Sequence, residues 1–555
     1  MKNHSVNQSI LSLRFGGDRS VIRRLATYIA CITAAVLGYA ELQNVEVGGE
    51  LRIRGRYWNN TYDDLGRAIR IPDEFLQLRP IGPFGATSRY VFDDNNNSTS
   101  FFEQKSKLEV SADFTNYVNA TFAIESFDRW GTDFRSNYIT GADFPGTTTD
   151  DVEFTQAFID VSNIFGQPIL LRMGRQPIGI DKRWLVSEYI SGTLPLSYDG
   201  VRLMYRSEHW ELDGWATVLA DSGAEEEDGD VNFFGLHGTY TFSDAFSARA
   251  YWYLVRDGRS LNDTNFVWPL EQIENIVGLD DYDPTYLHTV GLRLTGNEWG
   301  FDYDWELAYQ FGDADASSQG FKLAPSFYGQ DDAEYDAFGT DLELGFTAEW
   351  LPLKPRMLIG GAFLEGEDNR DITFGEWLNP FDRPDPSLSF NRLFSGHVYS
   401  WILDVGQDMT NFKQVRIGAE FDVTEAIVAH LLVSHFWVDE PFDLPVMVSA
   451  GPVRLPLAPA LAFWTEEADD NIGTTALLWF KYNYSEDLWF SVGLEWLFAG
   501  DGLEDGSFLH RHGMEMTGGI DSDDAQYLFL DMGLKFGGPS RGVDIHQFEY
   551  RTKKD

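Results

Sequence analysis

The segment FDYDWELAYQF, residues 301–311, alternates strictly between two kinds of side chain. Its odd-numbered residues are aromatic or leucine, and its even-numbered residues are carboxylates, an alanine and a glutamine. Successive side chains of a β-strand point to opposite faces, so this segment predicts a strand with one apolar and one polar face. The same alternation recurs in residues 341–350, 415–421, 488–496 and 527–536. Its recurrence along a chain of 555 residues predicts an all-β protein.

An earlier segment, LRIRGRYWNN at residues 51–60, carries positive charge on its polar face. Arg52, Arg54 and Arg56 stand at every second position and alternate with apolar or small residues. A soluble protein would bury the apolar face and expose the arginines to water. A membrane barrel would instead place the apolar face in lipid and the arginines in a lumen.

The connections between the strands decide between these two arrangements. Short turns are predicted near residues 115–116, 165–166, 207–208, 243–244, 296–297, 352–355, 424–425 and 485–486. Long polar stretches separate the resulting hairpins, at roughly 59–99, 127–151, 179–197, 220–230, 258–285, 313–336, 366–411, 439–471 and 499–524. With strands at 44–58 and 525–536, the pattern predicts a transmembrane antiparallel β-barrel of about 18 strands, with short periplasmic turns and long extracellular loops. Such a sheet is wide enough for an aqueous channel.

Composition agrees with a membrane barrel. The mean hydropathy is −0.27, no segment after residue 40 is long and apolar enough for a membrane helix, and 15% of the residues are aromatic. Tryptophans near predicted strand ends fit interfacial girdles, although Trp58 shares the parity of the arginines; these tryptophans are Trp58, Trp210, Trp299, Trp350 and Trp496. The alternative is a β-sandwich with tryptophans in its core.

The chain divides into three predicted regions. Residues 1–40 form a secretory signal and lead-in, in which Arg23 and Arg24 precede the apolar run 25–40. The alternative for this run is a hydrophobic helix that stays attached. The barrel covers residues 41–536, and residues 537–555 form a periplasmic C-terminal tail.

Several classes of chemistry are disfavoured. The only cysteine, Cys31, lies in the predicted signal, which excludes disulfides, thiolate metal sites and cysteine nucleophiles from the rest of the chain. A formal net charge of −45 disfavours a nucleic-acid partner. His510 and His512 lack an evident third metal ligand, and Asp313 and Asp315 begin an EF-hand pattern that Ala324 breaks at position twelve. We therefore expect no metal and no cofactor. Paired carboxylates recur on many strands, as a polar lumen requires, so a glycosidase dyad is not indicated and no catalytic residue is predicted.

Residues 171–205 carry three short motifs: a Gly-Arg-Gln strand end, an Asp/Arg pair and an Asp-Gly-Val-Arg strand. Their residues are Gly174, Arg175, Gln176, Asp181, Arg183 and Asp199, followed by Gly200, Val201 and Arg202. With these motifs the stretch resembles the alginate export porin family of bacterial outer membranes, which carries the same three, with Val or Ala in the last. Residues 390–421 are similar to a second family stretch, and residues 50–60 fit its first strand. The resemblance implies an eighteen-stranded monomeric barrel that lets a uronic-acid polysaccharide, or another solute, cross the outer membrane.

Cationic side chains on the polar faces are the candidate pore-lining and substrate-binding residues. They are Arg52, Arg54, Arg56, Lys105, Lys107, Arg172, Arg202, Arg206, Arg249, Arg293 and Arg416. A guanidinium fork matches a carboxylate, so these residues could favour anionic sugars. The polar faces also carry many carboxylates, and cross-strand pairing with them is the alternative role; Asp302, Asp304 and Glu306 would form an acidic stripe.

The function predicted from the sequence is passive conduction of an anionic polysaccharide or oligosaccharide by a porin in the outer membrane of a Gram-negative-type bacterium. Its partners would be outer-membrane lipid and lipopolysaccharide, the polysaccharide and periplasmic export proteins. The alternatives are a general or differently specific porin, or a sheath around a partner protein. The least favoured alternative is a secreted soluble β-rich glycosidase or lectin.

Overall fold

A computed structural model of the chain describes the barrel and part of its loops. The described residues are 44–60, 98–130, 152–190, 194–221, 230–243, 245–258, 284–314, 334–367, 387–441, 443–445, 447–450, 453–456, 465–467, 469–505, 507–510, 512–513, 515–517 and 523–537. The predicted signal and all of the predicted tail after Gly537 lie outside these residues.

Eighteen strands within the described residues form one closed antiparallel sheet. They are β1 (Asn44–Asn59), β2 (Ser98–Thr115), β3 (Val118–Arg129), β4 (Val152–Val161), β5 (Ile169–Gln176), β6 (Tyr198–Arg206), β7 (Trp210–Ala220), β8 (Val231–Ser243), β9 (Phe246–Asp257), β10 (Thr285–Glu298), β11 (Phe301–Asp313), β12 (Glu334–Thr347), β13 (Arg356–Leu364), β14 (Phe412–Asp422), β15 (Ile427–Val438), β16 (Asn471–Asn483), β17 (Leu488–Ala499) and β18 (Ala525–Gly537). Each strand pairs with its neighbours in the chain, and β1 also pairs with β18. This last pairing closes the barrel, so the predicted fold class is confirmed.

Smaller elements lie in the connections between the strands, most of them in the long loops. Short strand pairs join Tyr189–Ile190 to Leu194–Pro195, Asp443–Pro445 to Thr465–Glu467, Met447–Ala450 to Val453–Pro456 and Ser507–His510 to Glu515–Thr517. A 3-10 turn covers Ile164–Gly166 and a short α-helix covers Asp501–Asp505. Among the residues that the structure describes, no helix combines the length and apolarity needed to cross a bilayer.

Short turns and long loops alternate as the sequence predicts, with one turn displaced. The Gly-Asn signal at residues 296–297 predicts a turn, but β10 continues through both residues and the chain reverses at Trp299–Gly300. Both turn residues have positive φ, at 56° and 84°. A two-residue turn with two positive φ angles matches the twist of the paired strands, which explains why it is used there.

The two faces of the sheet differ as the alternation requires. Apolar side chains exposed on the outer face include Met173, Leu203, Leu236, Ile359 and Ile417. The opposite face is buried and carries most of the charged side chains of the strands, as the pattern of β1 shows: its arginines are buried while Leu51 and Ile53 are partly exposed on the outer face. The outer face is therefore a surface for lipid and the inner face is the lumen wall.

The tryptophans divide between the two faces. Trp210, Trp299 and Trp350 are exposed beside short turns, and Trp496 is partly exposed. Trp58 is only 1% exposed and packs in the lumen against Phe101 and Tyr527. Its assignment to an interfacial girdle is wrong, because the parity that it shares with the arginines turns it inward.

Two segments of the long loops fold into the lumen. We call them the first inner segment (residues 177–190) and the second inner segment (residues 387–411). They pack against each other: the Trp184 and Phe390 rings stack with centroids 5.7 Å apart, and Trp184 Nε1 donates a hydrogen bond to the Tyr399 hydroxyl at 2.8 Å. The Phe394 amide also donates to the Leu185 carbonyl at 2.9 Å. The lumen therefore holds a packed apolar core of its own.

Candidate functional site: the lumen wall and its inner segments

The arginines of β1 form a ladder of ion pairs with the two neighbouring strands. In the register of the sheet, Arg54 lies directly opposite Glu103 of β2 and Asp531 of β18. Arg54 Nε is 3.1 Å from Asp531, which also pairs with Arg52, and Arg56 Nη2 is 2.8 Å from Glu103. Strand pairing thus places carboxylates between the three guanidinium groups and neutralises much of their charge.

Each guanidinium of this ladder also lies near an indole ring. The ring centroids of Trp489, Trp401 and Trp58 are 5.5 Å, 5.9 Å and 5.7 Å from the guanidinium carbons of Arg52, Arg54 and Arg56, respectively. These distances are within the range of cation–π attraction. Because Trp401 belongs to the second inner segment, that segment lies directly against the ladder.

The lysines of β2 also form ion pairs with carboxylates, and one of them contacts an aromatic ring. Lys105 Nζ lies 3.3 Å from Glu125, and Lys107 Nζ lies 3.0 Å from Glu109. Lys105 Nζ is also 3.8 Å from the ring centroid of Tyr189 in the first inner segment. The first inner segment therefore reaches β2, on the side of the wall next to the β1 ladder.

Cross-strand pairs also hold the arginines of β5 and β6. Arg172 Nε lies 2.7 Å from Asp160, and Arg202 Nη2 lies 2.5 Å from Asp213. Arg206 is exposed at the short-turn end of β6 and pairs with Glu211 at 3.0 Å. All three predicted residues lie on the inner face, and each is oriented by a carboxylate of an adjacent strand.

The tip of the first inner segment binds both signs of charge on the wall. Asp181 pairs with Arg249 of β9 and, at 2.6 Å, with Arg293 of β10. Lys182 Nζ lies 2.8 Å from Asp341 of β12 and 3.5 Å from Asp304 of β11. Two adjacent residues of one turn thus anchor the segment to four consecutive strands.

The electrostatics of the tip follow from these contacts. Burial by itself raises the pKa of the Asp181 carboxyl, but Arg293 and Arg249 outweigh it and lower that pKa to about 2. Burial by itself lowers the pKa of Lys182, but the carboxylates around it raise that pKa above its usual value. Both tip residues are therefore charged at neutral pH.

A denser cluster lies where β12, β13 and β14 meet. Arg416 Nη1 is 2.8 Å from Asp341, and Arg356 Nη2 is 2.5 Å from Asp302 and 2.8 Å from Glu343. The sequence-based interpretation missed Arg356, which stands at the first residue of its strand directly after a proline-containing turn. Arg356 lies two residues before Leu358, which is buried on the inner face. Alternation along the strand therefore places Arg356 on the inner face as well, and this spacing could have identified it.

The acidic stripe expected on β11 is neutralised in the structure. Asp302 pairs with Arg356, Asp304 pairs with Arg293 at 2.5 Å, and Glu306 lies 3.9 Å from both Arg293 and Lys182. Positive and negative groups therefore alternate around the described part of the lumen wall. The three carboxylates do share the inner face of β11, but Arg293, Arg356 and Lys182 from outside this strand compensate their charge, as in the cross-strand pairing alternative.

The second inner segment has a buried ionic centre that the sequence did not reveal. Arg392 and Asp404 are 2.8 Å apart, and both side chains are 0% exposed. Asp404 also accepts hydrogen bonds from the amides of Tyr399 and Met409. Burial raises the pKa of Asp404, although Arg392 and the hydrogen bond from Tyr399 oppose that shift. The amide of Trp401 donates to Glu495 of β17 at 2.7 Å, which fixes the segment to the wall.

The family-motif residues separate into two groups. Arg175 and Asp199 pair at 2.6 Å on the outer face, where their side chains are 43% and 47% exposed, and Gln176 is buried on the inner face. Arg183 pairs with Glu188 within the first inner segment at 2.8 Å. The motif therefore builds the rim of the barrel and the inner segment that follows it.

Gly174 has a conformational role in this motif. Its φ is +124°, and a Cβ atom at this position would lie 2.2 Å from the Ala157 carbonyl oxygen of β4. Both the backbone angle and the close approach of two strands require glycine here.

The described residues contain no group of three or more His, Cys, Asp or Glu side chains suited to a metal ion. His510 lies 3.2 Å from Asp408, whereas His512 Nδ1 accepts a hydrogen bond from the Arg392 amide at 3.2 Å. The two histidines therefore face different partners.

A closed barrel of eighteen strands with an apolar outer face and a charged lumen is an outer-membrane porin, a transport channel rather than an enzyme. Within that class, a model of the alginate export family matches residues 85–503, and the chain belongs to this family. This assignment places the protein in the outer membrane.

Solved structures similar to this chain include OccK8 (OprE) of Pseudomonas aeruginosa, with 12% identity over 89% of this chain and 98% of that chain and a TM-score of 0.46. OccAB1 of Acinetobacter baumannii is similar with 11% identity over 89% of this chain and 99% of that chain and a TM-score of 0.47. No curated protein matches the sequence.

Proposed function

We propose that this porin passively conducts carboxylated polysaccharides, or their oligosaccharide fragments, across the outer membrane. The observation that carries the proposal is the β1 ladder, in which Arg52, Arg54 and Arg56 face the lumen at every second residue beside three indole rings. Guanidinium groups bind carboxylates, and aromatic faces offer apolar surface to sugar rings. This combination suits a uronic-acid chain.

The ion pairs of the ladder would serve conduction in two ways. Asp531 and Glu103 hold the guanidinium groups in fixed positions. They also compete with a passing carboxylate, which keeps each binding step weak. A conducting channel needs sites that are favourable enough to enter and weak enough to leave.

A general porin is the second candidate, because cationic and anionic side chains alternate around the wall. The paired stripe on β11 and the cross-strand pairs on β5 and β6 support it. A sheath around a partner protein receives less support, since the two inner segments occupy the lumen that a threaded partner would need.

We also propose the remaining organisation of the chain. Residues 1–40 are removed as a secretory signal, and residues 537–555 extend into the periplasm. The barrel acts as a monomer, contacts lipid and lipopolysaccharide at its outer face, and receives its substrate from periplasmic export proteins.

Reversal potentials in planar bilayers under a KCl gradient test the role of the ladder. Arg54→Gln should lower the chloride-to-potassium permeability ratio and Asp531→Asn should raise it, each by roughly twofold, because each change alters one charge in the lumen. Arg54 is well chosen, since Asp531 and Glu103 keep Arg52 and Arg56 as partners.

The outer-face pair provides matched controls. Arg175→Gln and Asp199→Asn make the same charge changes outside the lumen and should leave the ratio unchanged. Cation selectivity in the unmodified channel and in every variant, together with no block by a uronate trimer, contradicts the proposed substrate and supports the general porin.

A further inference from the structure

Arg249 and Arg293 form a paired cationic site in the lumen wall. They are direct partners in the register of β9 and β10, so the sheet brings two like charges opposite each other. Such a pair is destabilising unless an anion compensates it. An anion placed between the two guanidinium groups would therefore be bound by both.

The carboxylate that bridges the two arginines does not come from a neighbouring strand position. Asp181 supplies it from the first inner segment, with Oδ2 in contact with both Arg249 and Arg293. The wall itself contributes the Thr239 hydroxyl at 2.6 Å to Arg249 and Asp304 at 2.5 Å to Arg293. Asp304 belongs to the adjacent strand β11, as the partners of Arg172 and Arg202 belong to strands next to theirs, whereas Asp181 bridges the two arginines from outside the sheet.

We propose that Arg249 and Arg293 form a binding site for a uronate carboxylate, and that Asp181 occupies it as a tethered competitor. This proposal rests on the proposed function and describes how substrate would regulate the opening of the same lumen. When a substrate carboxylate takes the place of Asp181, the tip of the first inner segment loses one of its two anchors on the wall. Substrate binding and opening of the lumen are thereby coupled.

The geometry of the tip explains how Asp181 is held between Arg249 and Arg293. Asp181 and Arg183 both have positive φ, at 50° and 60°, so the tip is a tight turn that presents successive side chains in different directions. Lys182 binds the carboxylate cluster on β11 and β12 while Asp181 binds the arginine pair on β9 and β10. A uronate carboxylate has the same charge as Asp181 and can replace it between the two arginines, and Lys182 still has its carboxylate partners on the wall as an anchor.

Occupancy by a tethered competitor lowers the apparent affinity of the site for a free ligand by the fraction of time that the site is vacant. Asp181→Asn removes the competing charge and keeps the size of the side chain. Block of single-channel current by a linear uronate trimer should therefore need a concentration about tenfold lower in this variant than in the parent. Asp181→Glu, which retains the carboxylate, should stay close to the parent.

Controls separate the site from general effects. Asp199→Asn removes one carboxylate from the outer face and should leave the blocking concentration unchanged. A neutral trisaccharide of equal length should block parent and Asp181→Asn equally. Arg249→Gln and Arg293→Gln should each weaken block by the uronate trimer. Before recording, heat-modifiable migration on gels verifies that each variant forms a folded barrel.

The outcomes distinguish this inference from the function on which it rests. Block of the parent by the trimer with no gain in Asp181→Asn overturns the tethered competitor and leaves the proposed function intact. An equal gain for the neutral trisaccharide also overturns it, because the tip would then act only as a steric obstacle. Absence of block in the parent and in Asp181→Asn overturns the proposed function and the inference together.

Discussion

At the scale of single residues, the lumen is defined by partners that are distant in sequence. Arg52 and Asp531 lie at opposite ends of the barrel sequence and meet because β1 closes against β18. The alternation of LRIRGRYWNN predicts which face each arginine occupies. It does not predict the carboxylate opposite, because that depends on the register between strands, which a single-residue slip would change.

The same distinction applies to residues that the sequence did not identify. Lys182 stands beside a motif residue, but its three carboxylate neighbours come from two strands far along the chain. Arg392 and Asp404 lie in a segment without periodicity, so no pattern predicts that both are buried. The local sequence predicts the charge of a side chain and the face of the strand on which it lies. Its ion-pair partner becomes known only from the closed sheet.

The buried pair of the second inner segment yields a prediction at this scale. Arg392→Gln leaves the Asp404 carboxylate buried without its cationic partner, which costs about 3–5 kcal/mol. Because the eighteen strands do not depend on this pair, the variant should remain a heat-modifiable barrel but show larger and noisier single-channel currents as the segment loosens.

The double variant Arg392→Gln, Asp404→Asn is the control for this change. The amides of Tyr399 and Met409 donate to different oxygens of Asp404, so the neutral asparagine keeps an acceptor for one of them; because no unpaired charge stays buried, currents should be quieter than in Arg392→Gln alone. Parent-like currents in Arg392→Gln alone would contradict the role given to the pair.

At the scale of elements, strands were predictable and the inner segments were not. Period-two alternation identifies each strand because one face meets lipid and the other the lumen. The long loops have no such constraint, and sequence reasoning left open whether residues 366–411 fold inward. A signal was present in residues 398–403, where Val, Tyr, Trp, Ile and Leu occur in a loop expected to be polar. These residues are buried in the lumen core.

The end of β5 allows a test at this scale. Gly174→Ala would place a methyl group 2.2 Å from a backbone oxygen of β4 and force a side chain into a conformation with φ of +124°. We expect a loss of about 1–3 kcal/mol in the free energy of unfolding, measured by urea titration in detergent.

Gly214→Ala is the matched comparison on β7. Its new methyl group would have its nearest neighbour at 3.4 Å, which is ordinary contact, and its backbone is extended. This variant should be as stable as the parent or slightly more stable. Equal unfolding midpoints for the two glycine variants would show that Gly174 is not required by the backbone.

At the scale of the whole molecule, the barrel combines a closed wall with two inner segments that polar contacts hold against it. The wall follows from the alternating pattern, and its closure sets the width of the lumen. The inner segments fill that lumen with an apolar core; ion pairs of Asp181 and Lys182 hold the first segment to the wall, and a hydrogen bond from the Trp401 amide to Glu495 holds the second. In the two proposals above, selectivity rests on the β1 ladder and opening rests on Arg249, Arg293 and Asp181, so charged side chains of one lumen would govern both.

The central claim is that carboxylated oligosaccharides pass through this lumen, and the most direct test measures their passage. A single-channel reversal potential is recorded in a planar bilayer with the potassium salt of a uronate trimer on one side and KCl on the other. The account predicts a finite permeability of the trimer relative to chloride, lowered by Arg54→Gln. Zero permeability of the trimer, in a channel that passes potassium and small neutral sugars freely, would contradict it.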